Sequence, residues 1–240
     1  MITDKDLQDP EKDNEVLVKE SKSVIKKLII FYTVIAFICL FLFQIKWVAI
    51  IVSSLQVGIA LYYYKKSRGI ITIDYNSKSL KPSLFFPLLI PTIVLFATGI
   101  IEITVLDYSL FWIPFILFLS VFMFVVVKLI NKNETKRKIQ SFITSFILCA
   151  AFSFGFTINT NEAFCLKADE QYRTRIVDKW VIENRNTTYY FLLSPWGPIK
   201  STNSIKVFQY EYNKYQLGDT ISVNYNLGLF KIPFVKLADK

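Results

Sequence analysis

The sequence predicts an α-helical membrane protein with five transmembrane helices, followed by a small C-terminal all-β sheet or barrel module. Three observations predict it. Five apolar runs are long enough to cross a bilayer, Lys and Arg bunch in alternate loops between them, and beyond residue 158 the runs give way to alternating apolar and polar residues punctuated by Gly and Pro.

A bilayer core of about 30 Å takes roughly 17–25 apolar residues as a helix. The runs are Leu28–Phe43, Trp47–Tyr64, Leu84–Leu106, Ser109–Ile130 and Ile139–Ile158. Each is apolar on all sides, so five of them inside a water-soluble protein would need a large polar shell. A chain of 240 residues has no material for that shell. Composition agrees, with 53% hydrophobic and 20% charged residues, below the roughly 25% charge of soluble domains. The first run follows 27 mostly polar residues and lacks an A-x-A exit, so it reads as a span and not as a cleaved signal. Gln44–Lys46 and Asp107–Tyr108 are links short enough for helical hairpins.

Three domains follow: an N-terminal arm over 1–27, a five-span domain over 28–158 and a β module over 159–240. The arm reads as an amphipathic helix. Pro10 suits its first turn, Asp9 its cap, and Val16, Leu17, Ser21, Val24, Ile25 and Leu28 fall roughly on one face.

Charge placement gives orientation. Of a net +9, most sits in residues 28–158, where 11 basic residues face 4 acidic ones. Lys65, Lys66, Arg68, Lys78 and Lys81 crowd the second loop, and Lys132, Lys136, Arg137 and Lys138 the fourth. The first loop has one lysine and the third none. Basic short loops stay cytoplasmic, which puts the N-terminus and loops two and four inside and the C-terminus outside the cytoplasm. The same lysines account for the pI of about 9.3 without nucleic acid, for which no motif is present. The partner they face is the lipid bilayer.

The chemistry inventory is sparse. No histidine occurs, which removes Ser-His-Asp and Cys-His nucleophiles and His-ligated metals. Cys39, Cys149 and Cys165 form no C-x-x-C pair, and the seven glycines make no phosphate-binding loop. Asp169, Glu170, Asp178, Glu183 and Asp219 are scattered without a recognisable spacing. The expectation is therefore no enzyme, no metal and no cofactor.

Within the spans, Glu102 is the acid well inside an apolar run, with Asp107 five residues later. Intramembrane acids mark pathways when several gather at mid-depth. Here the reading is an outer interface, with a transport pathway as the alternative. Pro87, Pro91 and Pro114 should bend spans three and four. Ser53, Ser54, Gln56, Ser141, Thr144 and Ser145 should bond between helices or to their own backbone. Trp47, Tyr62, Tyr63, Tyr64 and Trp112 suit an interfacial belt.

In the β module, strands are expected over Gln171–Glu183, Thr188–Ser194, Ser204–Phe208, Thr220–Asn226 and Phe230–Leu237, with a short helix or turn over 209–216. Trp196, between Pro195 and Gly197, reads either as an exposed contact for a partner or as a plug of the small core. Gly218 and Asp219 read as a turn, with ligand binding as the alternative. Residues 171–237 carry Tyr190, Leu192, Pro195, Trp196, Ile205, Val207, Tyr212, Tyr215, Gly218, Asp219, Ile221, Val223, Gly228, Ile232, Pro233 and Phe234. This pattern resembles the tail of a group of uncharacterised bacterial inner-membrane proteins, in which four or five spans precede a small β module with a Gly-Asp turn. The resemblance implies the architecture and no catalytic residue. The chain departs from it in lacking a second glycine after Gly228.

These features point to a non-enzymatic membrane protein that displays a β module to an envelope protein or lipid partner, with no particular oligomeric state indicated. The alternatives are a transporter or channel subunit with Glu102 in its pathway, and a membrane immunity factor against a periplasmic toxin.

Overall fold

The computed structural model describes residues 10–41, 45–67, 69–73, 81–100, 104–133, 138–165, 170–183 and 187–238. In chain order they form α1 (Pro10–Phe41), α2 (Lys46–Lys66), α3 (Phe85–Ile100), β1 (Thr104–Val105), α4 (Trp112–Asn133), α5 (Lys138–Ala163), β2 (Glu170–Ile182), β3 (Thr188–Leu193), β4 (Asn203–Val207), α6 (Gln209–Lys214), β5 (Thr220–Leu227) and β6 (Pro233–Leu237). They divide into a helical unit, residues 1–98 with 115–156, and a β unit, residues 99–114 with 157–240.

Among the described residues, four helices are long and apolar enough to cross a membrane: Glu15–Phe41 of α1, α2, Trp112–Ile130 of α4 and Ile139–Ala163 of α5. The third expected span is corrected. Of Leu84–Leu106, α3 takes 16 residues, about 24 Å at 1.5 Å per residue. Thr104 and Val105 leave it to pair with Val235 and Phe234 of β6. The β unit therefore starts before α4, and the expected boundary at residue 159 misses residues 99–114.

In the helical unit α1 buries a narrow stripe, Ile25, Tyr32 and Cys39, spaced by seven residues. The Tyr32 hydroxyl donates to the Gln56 carbonyl of α2 at 2.6 Å. Val16 and Leu17 do not share that face; both are exposed. After α2 the chain folds Ile71 and Ile73 back into the core beside Tyr64, Leu84 and Ile130. Thr72 holds this turn, donating to Pro82 O and accepting from Leu84 N. Tyr64 is thus core and not belt, whereas Trp47, Tyr62 and Trp112 are exposed. Pro91 lies inside α3 and removes one helical hydrogen bond. Pro87 and Pro114 sit in first turns, where the backbone N–H has no helical partner to lose, so neither needs to bend its helix. Gly155 of α5 lies against the α3 backbone; a Cβ there would stand 2.5 Å from the Leu95 carbonyl carbon.

The β unit is a barrel-like antiparallel sheet in the order β1-β6-β5-β2-β3-β4. β2 is shared: residues 170–175 pair with β5 and residues 176–182 with β3. A bulge at Val177 turns the strand between them. The two ends of the sheet meet where Lys206 N of β4 donates to Thr104 Oγ1 of β1 at 3.2 Å. Inside lie Ile176, Phe191, Leu193, Ile205, Ile221, Val223 and Val235, with Trp196 and Tyr212 closing the core. The expected strands of the tail are present within one to three residues of their predicted ends, and the segment after the third is α6.

Candidate functional site

The β unit's inner face is filled, so its chemistry lies on the outer one. Strand alternation puts successive side chains on opposite faces. Phe191 points inward, fully buried, so Tyr190 and Leu192 point out. The register sets Trp180 opposite Tyr190, and Tyr190 opposite Lys206. The Trp180 and Tyr190 rings stack, with centroids 5.4 Å apart and planes 10° from parallel. Ile182, opposite Thr188 at the end of this row, is exposed. Phe208, just past β4, stacks on Tyr210 at 5.8 Å, and both are exposed. The outer face of β2, β3 and β4 is thus an aromatic surface edged by Lys206.

Towards the β5–β6 turn the outer face is already covered, whereas Gln171, Arg173 and Arg175 of β2 are exposed. The last turns of α5 lie on β5 and β6: Asn161 Nδ2 donates to Ile232 O at 3.0 Å, and Phe230 N donates to Asn161 Oδ1. The buried carboxylate of Glu162 pairs with Lys236. Gly228 fits against Asn161 so closely that a Cβ would overlap its amide.

Lys179 shares the inward face of β2 with Ile176. Its ammonium donates to the carbonyls of Tyr212 and Tyr215, both at 2.5 Å, and sits 4.2 Å from the Tyr212 ring centroid. This is the favourable place for a cation at the C-terminal end of α6. At the other end of α6, the buried Glu211 accepts the Phe208 N–H at 2.7 Å.

The residues singled out from sequence do not converge. Trp196 is buried, its ring packed near Tyr172 and Tyr225 and its indole N–H donating to Asn203 Oδ1 at 2.8 Å. It plugs the core and is not an exposed loop-tip contact. Gly218 adopts φ +87°, and the Asp219 carboxylate accepts the Gln216 N–H at 2.7 Å; the pair builds a turn before β5. Asp107 is fully exposed and accepts the amide and hydroxyl of Ser109, each at 2.8 Å, which hold its carboxyl below the usual carboxylate range. Glu102, Asp169 and the Asp9 cap lie outside the described residues.

Three of the scattered acids, Glu170, Asp178 and Asp219, take separate local partners. The Tyr172 hydroxyl donates to Glu170 at 2.5 Å, which raises its phenol pKa, and Asp178 accepts the Lys179 N–H. Among the described residues no group of three or more His, Cys, Asp or Glu side chains is placed to hold a metal ion. Cys39, Cys149 and Cys165 form no disulfide with one another; the exposed Cys165 thiol donates to Leu227 O at 3.1 Å.

Sequence reasoning missed the Trp180–Tyr190 stack because of the bulge. Strict alternation from Ile176 would send Trp180 inward. Val177 adds a residue, so Lys179 faces in and Trp180 out. Comparisons with protein-family models, curated proteins and solved structures find no match.

Proposed function

We propose that this chain is a non-enzymatic integral membrane protein that presents its β unit outside the cytoplasm to an envelope protein or lipid partner. On this reading α1 to α5 all cross the bilayer, α3 as a short span that local thinning accommodates. The basic second and fourth loops stay cytoplasmic, in a bacterial inner membrane.

One observation carries the interaction role: the stacked Trp180–Tyr190 pair, flanked by Ile182 and Lys206, lies on the outer face of a barrel whose interior is complete without it. Trp180 and Tyr190 are half-buried, and large aromatics that keep part of a ring open on a sheet face are what interfaces enrich, because they bury area at little entropy cost. Strand order supports the same face. Counted within the tail, the five strands run 5-4-1-2-3 with a helix between the third and fourth. This is a Greek-key order shared with OB-type barrels, which present their second and third strands to ligands; the likeness is one of plan alone.

The test is site-specific photo-crosslinking in the full chain in its own membranes. A photoreactive residue at Tyr190 or Lys206 should capture one defined species, and one at Ser222 on the β5 outer face should not. Equal capture from all three positions, or from none, refutes the assigned face. Reporter fusions after Lys66, Arg137 and Lys240 test the sidedness, with the first two expected inside and the third outside.

A further inference from the structure

The helical unit contains a recess of about 300 Å³ between α2, α3, α4 and α5. Ser54 and Gly58 of α2 and Val121 and Val125 of α4 form its mouth, and all four are exposed. A Cβ on Gly58 would meet nothing within 4 Å. Behind them the walls are apolar, and the buried Thr92 and Ser145 are deeper still. Thr92 returns its hydroxyl to Leu88 O at 2.7 Å. The Ser145 hydroxyl, 2% exposed, has no partner among the described residues. At roughly 30 Å³ per water-sized group, the recess of about 300 Å³ holds about ten such groups. That suits a length of hydrocarbon chain and is too small for a whole lipid.

The mouth is built from two helical stripes that end alike. Ser54, Gly58, Leu61 and Lys65 follow the i, i+4, i+7, i+11 spacing of one face of α2. Val121, Val125 and Lys128 follow i, i+4, i+7 on α4. On the reading in which α1 to α5 each cross the bilayer, α2 and α4 are two crossings apart and run the same way, so their lysines mark the same end. Lys65 stands about 10 Å along the axis beyond Gly58, and Lys128 about 4–5 Å beyond Val125. Both lysines are exposed. An apolar slot that opens sideways, with two ammonium groups above its mouth, has the layout of a lipid: tail below, acidic head above.

We propose that this recess takes one acyl chain of an anionic phospholipid, with Lys65 and Lys128 holding its phosphate headgroup. The site rests on the reading that the helical unit lies in a bilayer. It places the lipid in the leaflet on the side of the second and fourth loops, where a basic rim favours acidic headgroups. Gly58 leaves the entrance open, and a Cβ there meets nothing within 4 Å, so a bulky side chain has room to extend across the mouth.

Native mass spectrometry of the purified full chain tests this, with dioleoyl phosphatidylglycerol and dioleoyl phosphatidylcholine supplied in equal amounts. The wild type should retain one phosphatidylglycerol in preference to phosphatidylcholine by about tenfold or more, in keeping with two lysines at an anionic head. Gly58→Phe should lose both lipids. The double variant Lys65→Gln/Lys128→Gln should keep a bound lipid and lose the preference. Wild-type protein without preference, a Gly58→Phe protein that retains lipid as before, or a double variant that still selects phosphatidylglycerol would each overturn the site. Far-UV circular dichroism and elution volume check folding, and Val125→Trp blocks the mouth from the other helix should Gly58→Phe misfold. A sidedness map that stands, with no lipid retained, removes this site alone. A map that sets residues 66 and 137 on opposite sides removes the bilayer topology beneath it.

Discussion

The two units of this chain are built inside out relative to each other. The helical unit exposes Ile30, Phe37, Leu55, Leu117, Phe124 and Ile147 and buries Ser53, Gln56, Ser141, Ser145 and Ser153. The β unit buries Phe191, Leu193, Ile205 and Val223 and exposes Arg173, Lys206 and Lys214. A protein in water cannot show a broad, nearly continuous apolar exterior without cost. One without water outside gains little from burying Leu or Phe, and joins its helices through close packing and small or polar groups. Gly155 against Leu95 and Tyr32 on Gln56 are such joints. Each unit is thus arranged for a different solvent, and the proposed membrane placement rests on that inversion.

Four substitutions break or sharpen the contrast. Phe191→Ala empties the barrel core and should lower β-unit stability by about 3–5 kcal/mol. The loss should show as a shifted unfolding midpoint in the fluorescence of Trp180 and Trp196, with the helical circular dichroism kept.

The next effect is a matched pair. Phe124→Asp, at a position 70% exposed in the middle of α4, should cost about 2.5–3.5 kcal/mol of insertion free energy. Val177→Asp, 51% exposed on β2, should stay within about 0.5 kcal/mol of wild type. Membrane-fraction yield reads the first and barrel unfolding the second. Equal tolerance at both positions would mean that both exteriors face water.

The smallest effect concerns the β5–β6 turn. Lys231 adopts φ +58° there, a conformation costing other residues about 1–2 kcal/mol that glycine takes freely. Lys231→Gly should therefore raise the barrel's thermal midpoint slightly, net of the entropy a glycine adds to the unfolded chain, an effect worth less than about 1 kcal/mol. A lowered midpoint would place the stress of that turn elsewhere.

The sequence made some parts plain and hid others for physical reasons. Apolar runs and period-two alternation are local signals, so the long helices and the five tail strands could be read directly. The turn at Gly218 and Asp219 was legible because its chemistry is confined to four residues. β1 was not: Thr104 and Val105 are β-branched residues inside an apolar stretch, and only their pairing with β6 sets them apart from the preceding helix. The Gly-Pro context of Trp196 predicts a loop, yet the indole N–H finds Asn203 and the ring turns inward. Likewise Ser53 and Ser145, expected to bond between helices or to their own backbone, are buried with hydroxyls that have no partner among the described residues. For β1 the deciding contact is with β6, and for Trp196 it is with the Tyr172 and Tyr225 rings, both distant in sequence and outside any short window of residues.

β1 carries a consequence for how the protein is made. Its two residues leave the ribosome long before β6, the strand they join. Until Phe234 and Val235 have been synthesised and delivered to the same compartment, Thr104 and Val105 have no ladder to enter. Barrel closure is therefore a late checkpoint of biogenesis, and a chain stopped short of β6 would carry an unmatched segment by which a protease could recognise an unfinished product.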